Sequence, residues 1–151
     1  MPNAVNLNKK PHGWVEEIVS ITTATKTLKA TDSGKVFAFN KADGIVVTLP
    51  TCAAGLVFKF VVQTTFSSAG QITTAAADEL YTGGLMLVDP TTAGDMNFFQ
   101  PDVSDDVTID MEGVEEGWLV GGTITLTGLS ATRWFVEGTI VGDATLANPF
   151  Q

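Results

Sequence analysis

Few side chains in this 151-residue sequence stand at spacings that chemistry would require. Ser33-Gly34-Lys35 superficially matches a phosphate-binding loop. That loop needs a Gly five residues before its Gly-Lys pair and a Ser or Thr after the Lys, opening a helix. Lys29 holds the first-Gly position and Val36 follows Lys35, so the tripeptide reads as a turn entering a strand. Asp102, Asp105, Asp106, Asp110, Glu112, Glu115 and Glu116 offer oxygens enough for a hard cation such as Ca²⁺. Their spacing matches no EF-hand loop, and alternation puts Asp110 and Glu112 on one strand face with Met111 opposite. A solvated acidic face is expected. A glycosidase acid–base pair depends on a through-space separation that sequence spacing does not fix. His12, the only histidine, has neither a second His nor a nearby nucleophile and reads as an exposed residue. Cys52 is the only cysteine, so it forms no disulfide within the chain, and with no cationic neighbours it reads as a packing residue. Trp14, Trp118 and Trp134 are the side chains that could stack on a sugar. Packing is the simpler reading, with Trp118 and Trp134 in cross-strand contact. No constellation supports catalysis, so no enzyme, cofactor or metal site is expected.

The elements that would position these residues read as β structure. Thr occurs 21 times and Gly 15 times, favouring pleated strands and the turns between them. Within Ala30–Val62, alternation and turn residues predict strands at Val36–Asn40, Ile45–Leu49 and Leu56–Val62. They are separated by Asp-Ser-Gly, Ala-Asp-Gly and Pro-Thr-Cys-Ala-Ala-Gly. Pro50 removes a ladder donor and closes the second of these strands. Further strands are expected at Val15–Ile21, Lys26–Ala30, Gly70–Thr74, Leu85–Val88 and Val107–Met111. Asp89–Asp106, with Pro90, Pro101 and Gly94, reads as a long loop. Gly122–Thr127 and Thr132–Ile140 form a hairpin across Gly128-Leu129-Ser130-Ala131, with a bend or bulge at Gly121. The tail Gly142–Gln151 is ordered only if something covers it.

Length and 44% hydrophobic content suit one domain spanning residues 15–151. Residues 1–14 carry no apolar periodicity and read as an extended N-terminal arm with Trp14 at its root. No secretory h-region and no apolar run of membrane-spanning length occurs. The formal charge of −9 is unevenly placed. Residues 1–59 hold seven Lys against four carboxylates, whereas residues 60–151 hold thirteen carboxylates against Arg133 alone. Nucleic acid is disfavoured, because phosphate contacts need clustered Lys and Arg. The expected fold is an all-β sandwich or barrel of short antiparallel strands with an extended N-terminal arm.

The runs Thr31-x-Ser33-Gly34-Lys35-x-Phe37, Gly44-x-x-Val47-Thr48-Leu49-Pro50 and Gly55-Leu56-x-Phe58-x-Phe60-x-Val62 resemble a module of tailed-bacteriophage virion proteins. The resemblance continues in Gly117-Trp118-Leu119 and Trp134-Phe135-Val136-Glu137-Gly138, and it is to the capsid decoration, or cement, proteins. Related modules sit in phage fibres. The resemblance implies a structural virion protein, made in the host cytoplasm, that binds the outer surface of the phage head. Its partners would be the major capsid protein and two further copies of itself, as a homotrimer, with no membrane involved. Lys9, Lys10, His12 and Trp14 are the candidate partner-binding residues, the lysines meeting an acidic surface and Trp14 anchoring the arm. The alternative is a fibre or spike module that binds host-surface glycans.

Overall fold

The computed structural model of the chain describes residues 16–151, apart from Ala93, Trp118 and Ala144. The described residues form strands β1 Ile18–Ile21, β2 Thr25–Thr27, β3 Val36–Phe39, β4 Ile45–Thr48, β5 Val57–Val62 and β6 Gly70–Thr73. They continue as β7 Leu80–Gly83, β8 Leu85–Val88, β9 Met96–Phe99, β10 Thr108–Met111, β11 Leu119–Gly128 and β12 Arg133–Val141. Single 3-10 turns lie at Ala30–Asp32 and Val114–Glu116, and the described residues hold no α-helix. The strands build two sheets. The larger has the order β1-β3-β5-β11-β12-β8-β9, with β7 also on β12, and the smaller the order β10-β6-β4-β2.

Binary patterning explains which side of each strand is covered. In β5, Phe58, Phe60 and Val62 are buried while Val57, Lys59 and Val61 are half-buried, as period-2 alternation requires. In β12, Trp134, Val136 and Ile140 point inward, and in β11 Ile124 and Leu126 do so between threonines. Phe37, Phe39, Phe58, Phe60 and Phe66 form a chain of ring contacts, and Trp134 extends it from Phe58 at 5.9 Å between centroids. One hydrophobic cluster takes in these rings together with Ile45, Val47, Ile72, Ile109 and Met111 of the smaller sheet. Tyr81 ties the sheets directly, its hydroxyl donating to the Ile72 carbonyl at 3.0 Å.

The expected antiparallel arrangement is corrected: both sheets are mixed, and six of the ten pairings among the described residues are parallel. The reason lies in the path of the chain. From β1 to β6, successive strands alternate between the sheets, so β1, β3 and β5 lie side by side in one and β2, β4 and β6 in the other. Each excursion returns the chain to its sheet running in the same direction. The turns at Asp32-Ser33-Gly34, Ala42-Asp43-Gly44 and Pro50–Gly55 thus carry the chain across rather than back on itself. Gly34, Gly44 and Gly55 all take positive φ there, and a Cβ on Gly44 would lie 2.2 Å from the Ala69 carbonyl oxygen.

Three further corrections concern elements. The loop expected over Asp89–Asp106 contains β9, paired antiparallel with β8. The strand expected at Lys26–Ala30 is the shorter β2, followed by the 3-10 turn at Ala30–Asp32. β7 was not anticipated; with its partner offset on β12 unchanged into β8, it is the first half of one strand interrupted near Gly84. The bulge at Gly121 is present as a register shift between Leu119 and Thr123. The C-terminal tail is covered. Phe150 is buried and bridges to Ile109, while the Val107 and Thr108 amides both donate to the Gln151 carbonyl.

Candidate functional site

Strand parity assigns the side chains of the large sheet to an inner and an outer face. Leu85 and Leu87 of β8 are fully buried, so Met86 and Val88 face outward. Opposite them in register stand Phe98 and Met96 of β9, each 56% exposed. On the other flank of β8, Val88 faces Val141 of β12. Phe135 of β12 faces outward above Gly83. These side chains form an apolar strip on the outside of the sheet, in a class of surface that soluble proteins rarely expose without use. Two glycines shape it. Gly83 sits at φ +104, and a Cβ there would lie 2.2 Å from the Val136 carbonyl oxygen. A Cβ on Gly84 would lie 2.4 Å from Cζ of Phe98, so that ring packs directly against the Gly84 backbone.

Beside the strip lies a cleft of about 330 Å³, lined by Thr82, Gly83, Gln100, Pro101, Val103 and Phe135. Arg133 fixes its rim, with Nη1 donating to the Val103 carbonyl at 2.7 Å. The chemistry on offer is adhesion: an aromatic ring, a proline and a few neutral polar groups.

The residues with chemical promise fall elsewhere. Lys35 is engaged by Asp32 at 3.1 Å and by Glu17 at 3.3 Å, and Ser33 Oγ accepts from the Val57 amide at 2.9 Å. The Ser-Gly-Lys tripeptide is therefore a locked turn. Burial opposes ionisation of Asp32, but the Lys29 amide and the Lys35 ammonium outweigh it and hold the carboxyl below its usual range.

The acidic stretch is not the uniformly solvated face expected. Asp106 is buried, its Oδ2 accepting from the Asp102 amide at 2.6 Å and closing a loop. Asp110 is 2% exposed; Oδ2 accepts from Gln71 at 2.9 Å while Oδ1 has no hydrogen-bond partner. Met111 beside it is also buried, because β10 is covered on both faces, and Glu112 lies beyond the strand and is exposed. Burial pushes the Asp110 carboxyl up, with repulsion from Glu112 adding and the Gln71 bond opposing. Burial and then Asp110 and Glu112 push Glu116 up in the same way. Among the described residues no group of three or more His, Cys, Asp or Glu is arranged to hold a metal ion.

A further buried carboxylate sits under the large sheet. Glu79, 2% exposed, accepts from the Cys52 amide at 3.0 Å and from Trp134 Nε1 at 3.4 Å. The Cys52 thiol donates to the Arg133 carbonyl at 3.3 Å, and burial, reinforced by the Glu79 charge, pushes it up to about 11. Cys52 and Trp134 are thus packing residues, as their sequence contexts suggested. Lys9, Lys10, His12, Trp14 and Trp118 lie outside the described residues, so the arm and the Trp118–Trp134 contact are not placed. Sequence reasoning missed the outer strip because its most exposed members, Met96 and Phe98, lie on β9, inside a stretch that Pro and Asp residues marked as loop.

No helix among the described residues is long and apolar enough to cross a membrane. Comparison with protein-family models, curated proteins and solved structures finds no match to this chain.

Proposed function

We propose that this chain is a structural virion protein, a capsid decoration or cement protein of a tailed phage. In this reading the two sheets are the layers of a rigid β-sandwich that seats on the outer surface of the head as a homotrimer. The observation that carries the reading is the apolar outer strip of Met86, Val88, Met96, Phe98, Phe135 and Val141 on a well-packed β body. Burial of such a strip between capsid subunits contributes roughly 25 cal/mol per Å² removed from water, which opposes separation of neighbouring capsomers. The resemblance of the turn-and-strand pattern over Thr31–Val62 supplies the virion context.

Residues 1–14 act in this reading as a strap. At about 3.3–3.6 Å per extended residue, thirteen residues span roughly 45 Å, enough to reach an adjacent subunit. Lys9 and Lys10 meet an acidic patch on the shell or on the next copy, and Trp14 anchors the root.

The test is reconstitution. Purified protein is added to heads lacking it, and occupancy is imaged at low resolution. Copies across the whole lattice are expected, with deletion of residues 1–13 lowering occupancy. A handful of copies at the tail, or none, overturns the reading. The fibre-module alternative draws on the cleft under Phe135, where Thr82 and Gln100 flank an aromatic ring as in sugar-stacking sites. Saturable glycan binding that is lost in Phe135→Ala would favour it.

A further inference from the structure

The large sheet has two open edges, and they complement each other. Among the described residues, β1 pairs only with β3 and β9 only with β8, so each presents an unpaired row of backbone donors and acceptors. Natural edge strands are usually blunted by Lys, Pro or an inward charge; Ile-Val-Ser-Ile and Met-Asn-Phe-Phe carry none of these. Each edge also exposes large apolar side chains. Ile18 is 69% exposed on β1, and Met96 and Phe98 are each 56% exposed on β9. Parity puts all three on the same, outer face of the sheet. Val19 and Ile21 sit across from the buried Phe37 and Phe39, which turns Ile18 outward, and Met96 and Phe98 stand opposite the outward-facing Val88 and Met86.

Direction and charge agree with this match. Along the sheet, β1, β3, β5, β12 and β8 run one way and β11 and β9 the other. A second copy related by rotation about an axis along the strands would bring its β1 antiparallel to β9, the more stable ladder. Residues 16–62, which supply β1, β3 and β5 as well as β2 and β4 of the smaller sheet, hold five Lys and four carboxylates, and residues 63–151, which supply β9 and the remaining strands, hold thirteen carboxylates and one Arg. In the antiparallel joint, the end of β1, which the Asn40 amide bonds at Ile21 beside the Lys41–Asp43 pair (2.9 Å), meets the start of β9. There Asp95 precedes the strand, and the Thr91 hydroxyl lies 2.7 Å from Asp89 Oδ1 and 2.9 Å from Asp143 Oδ1.

We infer that the β1 edge of one copy of this chain pairs with the β9 edge of the next, joining the large sheets head to tail. Ile18 then packs beside Met96 and Phe98 of the neighbour as a cross-strand pair. The contact is heterologous, so it closes into a ring when the rotation permits. It extends the outer apolar strip instead of covering it, leaving that face free for a shell. The inference names the interface of the self-associating unit proposed above and does not depend on the capsid.

The test uses the purified full-length chain in solution, with mass measured by light scattering and native mass spectrometry. Wild type is expected as a closed multiple of the 15.9 kDa chain. Ile18→Lys at one edge, and Met96→Lys or Phe98→Lys at the other, should each give monomers with an unchanged far-UV circular dichroism spectrum. An equimolar mixture of an Ile18→Lys chain and a Phe98→Lys chain should form a dimer and stop there, since each keeps one intact edge. Wild type remaining at 15.9 kDa at high concentration overturns the inference. So does a mixture that stays monomeric, or an oligomer that survives either edge substitution. Failure of head binding with the ring intact would remove only the capsid reading.

Discussion

Two buried carboxylates, Glu79 and Asp110, are placed very differently. Both oxygens of Glu79 are used, one by the Cys52 amide and one by the Trp134 indole, so it pins the turn after Pro50 to the large sheet. Glu79→Ala leaves a buried amide without an acceptor and is expected to cost about 1–3 kcal/mol, read from the midpoint of denaturant unfolding. The Cys52 thiol, held up at about 11, is expected to resist thiol reagents at pH 8 in the native protein and to react on unfolding. Asp110 has one oxygen unpaired and its carboxyl pushed up by burial. The folded chain therefore binds more protons than the unfolded chain between the ordinary and the raised value. Through that window stability falls as pH rises, and the penalty is fully present above the raised value. Asp32, Asp89 and Asp102 are shifted down, so their contributions fade only at more acid pH. Asp110→Asn, which can keep the Gln71 bond, is expected to raise stability at neutral pH by about 1 kcal/mol and to flatten the mildly acid part of the profile. Thermal melts of both chains from pH 4.5 to 7.5 check this.

At the scale of elements, the strand that lies along β12 depends on its glycine pair. β7 and β8 keep one register on β12, and the break between them falls where Gly83 adopts φ +104 against the Val136 carbonyl. A side chain there meets both a disfavoured backbone conformation and main-chain atoms that cannot move aside. Gly83→Ala is expected to destabilise the fold by about 1–3 kcal/mol or more and to disturb the cleft formed with Phe135. Gly55 offers a control. It also has positive φ, but a Cβ would meet nothing within 4 Å. Gly55→Ala should cost only the backbone term, so comparing the two melts separates conformational strain from steric conflict.

For the whole molecule, the core described draws its side chains from Ile21 to Phe150, so the tail is part of it. Phe150 is 4% exposed and its ring lies 6.4 Å from that of Tyr81. Removing residues 146–151 uncovers Ile109 and Tyr81 and strips β10 of the Gln151 and Pro149 carbonyl acceptors. Such a chain is expected to lose about 3–5 kcal/mol, by analogy with truncation of a buried Phe, and to melt less cooperatively by calorimetry. Deletion of residues 1–13 is expected instead to leave the far-UV circular dichroism of a β protein unchanged.

What the sequence determined by itself was local. Alternation placed β3, β4 and β5 to within a residue at most ends, because one face of each strand is buried and a slip would expose Phe58 or Val47. It likewise gave the inward faces of β11 and β12 and the bulge at Gly121. Turn chemistry showed where the chain bends but not which sheet receives the next strand. Crossing to the other sheet and folding back beside the last strand use the same Gly and Asp residues. That choice, made by burial of both sheets in one core, turned an expected antiparallel array into a mixed one. It also buried Asp110, which sits in an acidic stretch of sequence but in the fold lies between buried Ile109 and Met111, bonded to Gln71 and close to Glu116. The apolar strip and the two open edges are likewise products of tertiary structure. Met86, Phe98, Phe135 and Ile18 are scattered along the chain, and only strand order and parity put them on one face.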